Sequence, residues 1–167
     1  EILRCLVGSE MCIRDRDARA QGKHGLTVLS SSKKKPYLSD PDYLKYKGFL
    51  TADTAHPFFE LLYLPFTDNA PVPQFKDCAR KGTIEETGMA LYYTAQCPYT
   101  SQYVPLIAEA ARARGRELTL RPITTMEQAQ NAPTPYTTYS FFNNGRLVTH
   151  EIFSEKKFEK FLDSTLP

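Results

Sequence analysis

Cys97 is the residue best placed to do chemistry. It stands in Met89-Ala-Leu-Tyr-Tyr-Thr-Ala-Gln-Cys97-Pro98-Tyr99-Thr100, where a short apolar strand runs directly into the first turn of a helix. Backbone N–H groups and the positive end of the helix dipole at such a junction favour a thiolate over a thiol. A thiolate there can attack a disulfide or an electrophile, or hold a mixed disulfide. Thr100 occupies the place where a second cysteine would release such an adduct from within the chain. Its hydroxyl can donate to the sulfur but cannot close a disulfide. The competing account is that Cys97 packs as a small apolar residue.

Other groups are weaker candidates. His150 is a potential general base or ligand, set against a hydrogen-bonded structural role. Tyr92, Tyr93, Tyr99, Tyr103, Tyr136 and Tyr139 are expected around Cys97, as core or as a substrate groove. Lys33-Lys34-Lys35 reads as a solvated loop before a phosphate site, because no glycine-rich loop accompanies it. The four cysteines are widely spaced and lack metal-ligand pairs, so neither a disulfide framework nor a metal site is expected. A formal net charge of +2 is too small to argue for nucleic acid or a membrane surface. No apolar run approaches the roughly 20 residues of a membrane span. A reduced, cytoplasmic setting is the expectation.

The 167 residues allow one domain or two small ones. Residues 1–16, including Cys5 and Cys12, resemble a translated sequencing adapter, and native sequence is expected to resume between Cys12 and Asp17. Gly22 and Gly25 close a polar helix end. Residues 26–30 read as a buried strand. Residues 37–47 read as a helix, with Ser39 or Asp40 as N-cap, Pro41 in its first turn and Gly48 as its stop. Residues 49–55 and 58–66 are strands, the second too apolar on both faces for an edge. Residues 67–87, punctuated by Pro and Gly, read as a linker.

From residue 88 the order is βαβαββα. Residues 89–94 form a strand. Residues 98–114 form a helix with Val104, Ile107, Ala108 and Ala111 on one face and Gly115 at its end. Leu118 and Leu120 alternate in a second strand. Thr124 to Glu127 reads as a capping box opening a short helix. Residues 139–143 and 146–152 are strands joined by Asn144-Gly145, the strongest short hairpin signal. Ser154 caps a last helix that turns Phe158, Phe161 and Leu162 inward.

This second part resembles the thioredoxin-like fold. Pro98 follows the cysteine, and Pro105 sits five residues after Thr100, where thioredoxins carry a helix-kinking proline. The resemblance implies that Pro135, or its rival Pro133, is a cis-proline facing Cys97. Residues 88–164 resemble the YoaP-like domain through Tyr92-Tyr-Thr-Ala-Gln-Cys-Pro-Tyr-Thr100, Ala129-Gln-Asn-Ala-Pro-Thr-Pro-Tyr-Thr-Thr-Tyr139 and Thr149-His-Glu-Ile-Phe-Ser-Glu-Lys-Lys-Phe158. In that family the domain follows an N-acetyltransferase of the GNAT superfamily, and residues 17–66 resemble the second half of one. The implied fold class is α/β: the C-terminal half of a GNAT mixed sheet, then a thioredoxin-like unit.

The implied activity is acetyl transfer from acetyl-CoA to a small-molecule or peptide amine. The CoA-binding loop is expected upstream of Asp17. Many members carry a tyrosine acid in Phe-Tyr-x-Lys-x-Gly-Phe. Here the string is Tyr43-Leu44-Lys45-Tyr46-Lys47-Gly48-Phe49, so Leu44 holds the tyrosine position and Tyr43, or Tyr46, is left as candidate acid. Two alternatives stay open: a monothiol redox or thiol-transfer module acting through Cys97, and a non-catalytic binding domain. The oligomeric state is not legible in these residues.

Overall fold

The structure, a computed structural model, describes residues 10–165. Residues 1–9, with Cys5, lie outside the described residues. Helix α1 (Glu10–Ala20) runs across the adapter boundary expected near residue 16, and Gly22, at φ +69°, follows its end. The described chain is a mixed α/β protein with two sheets. It divides into two compact units, one through Phe75 and one from Lys76.

In the first unit, strands β1 (Gly25–Ser31), β2 (Leu50–Ala55) and β3 (Phe59–Pro65) form an antiparallel sheet in the order β1-β3-β2. The apolar run of β3 therefore lies centrally, paired on both sides. Leu62 packs with Leu44 and Phe49, flanked by Leu26, Val28 and Leu64. Helix α2 is shorter than the sequence pattern suggests, spanning Pro41–Tyr46. The residue before a proline is driven to extended backbone. Asp40 accordingly sits at ψ 117° and becomes the N-cap, its carboxylate accepting the N–H groups of Asp42 and Tyr43. Lys34 pairs with that carboxylate, which lowers the Asp40 pKa. The stretch 67–87 does not run free. Phe75 N–H donates to Asp53 Oδ2 at 2.7 Å in the first unit, and residues from Lys76, including a short helix α3 (Asp77–Arg80), belong to the second.

From β4 onward the second unit has the element order read from the sequence. After α3 come β4 (Met89–Tyr93), α4 (Pro98–Ala113), β5 (Leu118–Pro122), α5 (Met126–Gln130), β6 (Tyr139–Asn143), β7 (Arg146–Thr149) and α6 (Glu155–Ser164). The sheet order is β5-β4-β6-β7, with β4 and β5 parallel and the other pairs antiparallel. Alternation along the strands sends Met89, Leu91, Tyr139 and Phe141 to one face. There they meet Val104, Ile107 and Ala111 of α4 and Phe158 and Leu162 of α6. On the opposite face Tyr92 meets Phe142 edge-on at 5.7 Å.

Asn144 (φ +48°) and Gly145 (φ +78°) make the tight β6–β7 turn, in keeping with the requirement of a type I′ hairpin for two positive φ values. A Cβ at Gly145 would also lie 2.7 Å from the Ile84 carbonyl oxygen, which is backbone and cannot swing aside. Gly145→Ala is expected to destabilise the second unit by about 1–3 kcal/mol, read as a lower urea midpoint. An unchanged midpoint would show that the turn relaxes.

The capping box and the end of β7 differ from the sequence reading. The capping box is Thr125 with Gln128, one residue later than expected. Gln128 Oε1 accepts N–H groups from both Thr124 and Thr125, and its own N–H donates to Thr125 Oγ1. Strand β7 stops at Thr149 instead of continuing to residue 152. A register shift opposite Phe141 and Phe142 disturbs the ladder, and Glu151 N–H turns back to Thr149 Oγ1 at 2.9 Å. His150 thus leaves the strand altogether.

Candidate functional site

Cys97 is the N-cap residue of α4, with extended backbone (φ −104°, ψ 125°) and Pro98 at the first helical position. Proline is tolerated there because that N–H has no helical partner in any case. The Cys97 side chain is half-buried and the thiol is free. It makes no capping hydrogen bond. The residue therefore stands at the positive end of a 16-residue helix, with Pro105 inside that helix as its sequence placed it. Cys78, the other described free thiol, is exposed on α3 and approaches the Gln130 carbonyl at 3.9 Å.

Thr100 does not serve the sulfur. It is fully buried, and its hydroxyl faces the carbonyl oxygens of Thr94 at 2.8 Å and Cys97 at 2.6 Å. A hydroxyl has one proton to give, so these backbone acceptors take it. The expectation that Thr100 donates to the thiol is corrected to a positioning role: it ties the 94–97 loop to the first turn of α4. Thr100→Val keeps the shape and strands the Thr94 carbonyl, which should cost about 1–3 kcal/mol and loosen the loop. Faster amide exchange at Ala95 and Gln96 is the measurement, and unchanged exchange would refute the tie.

Among the described residues the one cis peptide bond is His56–Pro57. The expected cis bond at Pro135, or at its rival Pro133, is therefore corrected: both are trans. The default preference of about 0.5–1 kcal/mol for trans is not overturned there, because side-chain bonds secure the turn without a cis bond. The Thr134 hydroxyl reaches the Tyr136 carbonyl at 3.2 Å and Ser140 Oγ at 2.8 Å. Ser140 Oγ in turn donates to the Tyr136 carbonyl at 2.8 Å.

His150 closes this network from behind. It is 4% exposed, and its Nδ1 lies 3.0 Å from Ser140 Oγ and 3.1 Å from the Tyr139 carbonyl. In the Nδ1–H tautomer it donates to both. Burial pushes its pKa down to about 4, against a smaller upward pull from the Tyr139 carbonyl, so the ring is neutral at pH 7. It is a buried brace and not a solvent-facing base.

The Tyr136 ring meets His150 edge-on at 5.6 Å. Burial raises the Tyr136 phenol, and the nearby Cys97 adds to that. The other tyrosines have partners of their own. Tyr139 is core, Tyr99 and Tyr103 face each other on α4, and Tyr92 donates to Glu86 at 2.7 Å. Glu86 also binds Arg121 through both carboxylate oxygens, and these bonds hold its carboxyl below the usual range. The Thr134–Ser140–His150 network was missed in the sequence. Its one signal was polar side chains interrupting an apolar run.

In the first unit Leu44 is buried in the core, so the tyrosine position of the GNAT pattern is a packing position here. Tyr43 and Tyr46 are 45% and 73% exposed, each with Lys47 over its ring. Among the described residues no group of three or more His, Cys, Asp or Glu side chains is gathered as metal ligands. No described helix is long and apolar enough to cross a membrane.

A family model described as YoaP-like matches residues 118–160, inside the stretch that carries the YoaP-like resemblance. A protein of Bacillus subtilis (strain 168) named as an uncharacterized N-acetyltransferase YoaP is 38% identical to the chain over 155 residues. The match takes in 93% of the chain and 61% of that protein, so the chain spans about three fifths of the length of the curated relative it matches.

Proposed function

We propose that the chain belongs to a protein that transfers an acetyl group from acetyl-CoA to a small-molecule or peptide amine. In this reading the first unit is the closing part of a GNAT sheet and the second is a thioredoxin-like accessory unit with a single thiol. The observation that carries it is the 38% identity, over 93% of the chain, to a protein named as an N-acetyltransferase. The β1-β3-β2 order, with the last strand inserted between its predecessors, is consistent with such a sheet.

The N-terminus of α2, the helix between β1 and β2, does not fit the pyrophosphate of CoA. A phosphate seeks the free N–H groups of a helix N-terminus, and in α2 the Asp40 carboxylate already occupies them. No step of the transfer is routed through these residues, and Tyr43 stands only as a candidate acid. The test is calorimetry of acetyl-CoA with the protein expressed from its complete reading frame. Saturable binding is expected, and its absence would defeat the acetyltransferase reading.

The position of Cys97 as N-cap of α4 favours a second reading for the accessory unit, that of a monothiol group. Its sulfur would attack a disulfide, form one S–S bond and release the other sulfur as thiolate; a second thiol from solution would then free it. Cys97 should be alkylated by iodoacetamide about tenfold faster than Cys78 at pH 7. Equal rates, followed by mass spectrometry, would remove this reading and leave the acetyltransferase one standing.

A further inference from the structure

A hollow of about 550 Å³ opens on the sheet face turned away from α4 and α6, within the volume range of small-ligand sites. Cys97 is not among its walls, and neither the acetyl transfer nor the thiol chemistry proposed above draws on it. Tyr92 of β4 and Arg121 of β5, neighbours in the parallel ladder, line one side. Glu127 of α5, with Asn131 and Ala132 just after that helix, lines the other. Ala132 and Ile123 add apolar surface.

Arg121 is fixed in place on its wall. Glu86 accepts from Nε at 3.2 Å and from Nη2 at 3.0 Å through separate oxygens, and Glu86 Oε1 also accepts the Tyr92 hydroxyl at 2.7 Å. Burial first, and the Glu86 bond second, push the Tyr92 phenol up to about 12, so it remains a donor at neutral pH. The arginine side chain is still 50% exposed, and an ion pair so open to water contributes little to stability. What the pair achieves is geometric. It holds a guanidinium plane at the edge of the hollow, with Nη1 the one nitrogen of the fork that Glu86 does not take.

Three properties say what would fit. Flat unsaturated rings stack on guanidinium planes and on aromatic side chains, and Arg121 and Tyr92 offer one of each. Arg121 Nη1 and the Asn131 amide group donate, while the Glu127 carboxylate accepts, so both kinds of ring-edge group find a match. Charge is balanced: Glu86 offsets Arg121, and Glu127 offsets Lys76, whose Nζ reaches Asn131 Oδ1 at 3.4 Å. A phosphate would give up water there with no excess positive charge in return. We propose that this hollow binds an uncharged purine or pyrimidine, as a free base or nucleoside, with its ring against the Arg121 guanidinium and its polar edge toward Asn131 and Glu127.

The experiment is a ¹⁵N–¹H NMR titration of the 167-residue chain with adenosine, and separately with AMP. Saturable shifts at residues 92, 121, 123 and 127–132 are expected, with AMP no tighter than adenosine within about twofold. Arg121→Met keeps the stem and removes the fork, and should weaken adenosine about tenfold. Asn131→Ala, at an exposed position, should weaken it several-fold and carries the test if Arg121→Met disturbs the fold. Glu86→Gln leaves the Arg121 charge uncompensated, so AMP should then bind more tightly than adenosine, a reversal that a purely structural Glu86 would not produce. Absence of saturable shifts at millimolar adenosine, AMP binding about tenfold tighter to the unaltered chain, unchanged adenosine binding in both Arg121→Met and Asn131→Ala, or no reversal in Glu86→Gln would each overturn the proposal. None of these readouts depends on acetyl-CoA or on Cys97.

Discussion

Phe141→Ala is expected to lower the stability of the second unit by about 3–5 kcal/mol, the usual cost of emptying a buried aromatic site. Phe141 is fully buried and lies on β6, the inner strand between β4 and β7. Its ring meets Phe153, Phe158 and Phe161 at centroid distances of 5.2, 5.8 and 5.3 Å, each near perpendicular. Truncation therefore removes the ring on which three aromatic side chains from the C-terminal segment converge. Helix α6 cannot follow the lost volume inward without giving up the Phe158 and Leu162 contacts with α4. Whole domains are stable by only about 5–15 kcal/mol, so this one change consumes a large share of the total. Urea unfolding followed by amide exchange in β4 and β6 reads it directly. A loss under about 1 kcal/mol would mean that the aromatic cluster repacks. Val148→Ala, at an exposed strand position, is the control and should shift the midpoint little.

The second large effect is a pH dependence set by His150. In the folded chain burial holds its pKa down to about 4, whereas in the unfolded chain it titrates near the ordinary value of about 6.5. Below about pH 6.5 the unfolded state therefore binds a proton that the native state refuses. Stability is full above that pH, falls as pH drops toward 4, and levels once both states are protonated. The size is about 3 kcal/mol across the window. The Glu86 carboxyl is held below its ordinary value of 4.5 by Arg121 and Tyr92, so its contribution fades as pH falls below that value, overlapping only the acid end of the His150 window. Urea midpoints taken at pH 7, 5.5 and 4.5 should decline steadily, and His150→Gln should flatten the decline. An equal slope in the variant would show that another group carries the acid sensitivity. The same protonation should release the Thr134–Ser140 turn, because an imidazolium cannot be held in a site built to keep the ring neutral.

Much of the architecture was readable because it depends on local chemistry. The run Phe58-Phe-Glu-Leu-Leu-Tyr-Leu-Pro-Phe66 is apolar on both faces, and a strand of that kind is driven to the middle of a sheet. Asn144-Gly145 accepts two positive φ values that few other pairs tolerate. Val104, Ile107 and Ala111 recur at helical spacing and do line the α4 core. Asp40 caps α2 because its carboxylate answers free N–H groups next to a proline.

Site details were less readable, since they turn on which of several possible partners a polar group meets. Spacing alone makes Thr100 a donor to Cys97. In the fold its hydroxyl is sealed against two carbonyls, because a buried backbone acceptor competes more strongly than a half-exposed sulfur. The capping box moved by one residue because Gln128 can reach both Thr124 and Thr125, and sequence spacing does not choose between them.

From its sequence alone the chain determined which segments become strands and helices, where the hairpin turns, and that a cysteine would stand at a helix start. Those outcomes follow from backbone preferences and apolar periodicity within a dozen residues. Only the tertiary structure decided that His150 leaves its strand to brace Ser140, that Pro133 and Pro135 are trans, and that Glu86 fixes the Arg121 guanidinium beside Tyr92. Each of these depends on groups distant in the chain competing for the same hydrogen bond or the same space, and that competition is resolved only when the sheet has closed.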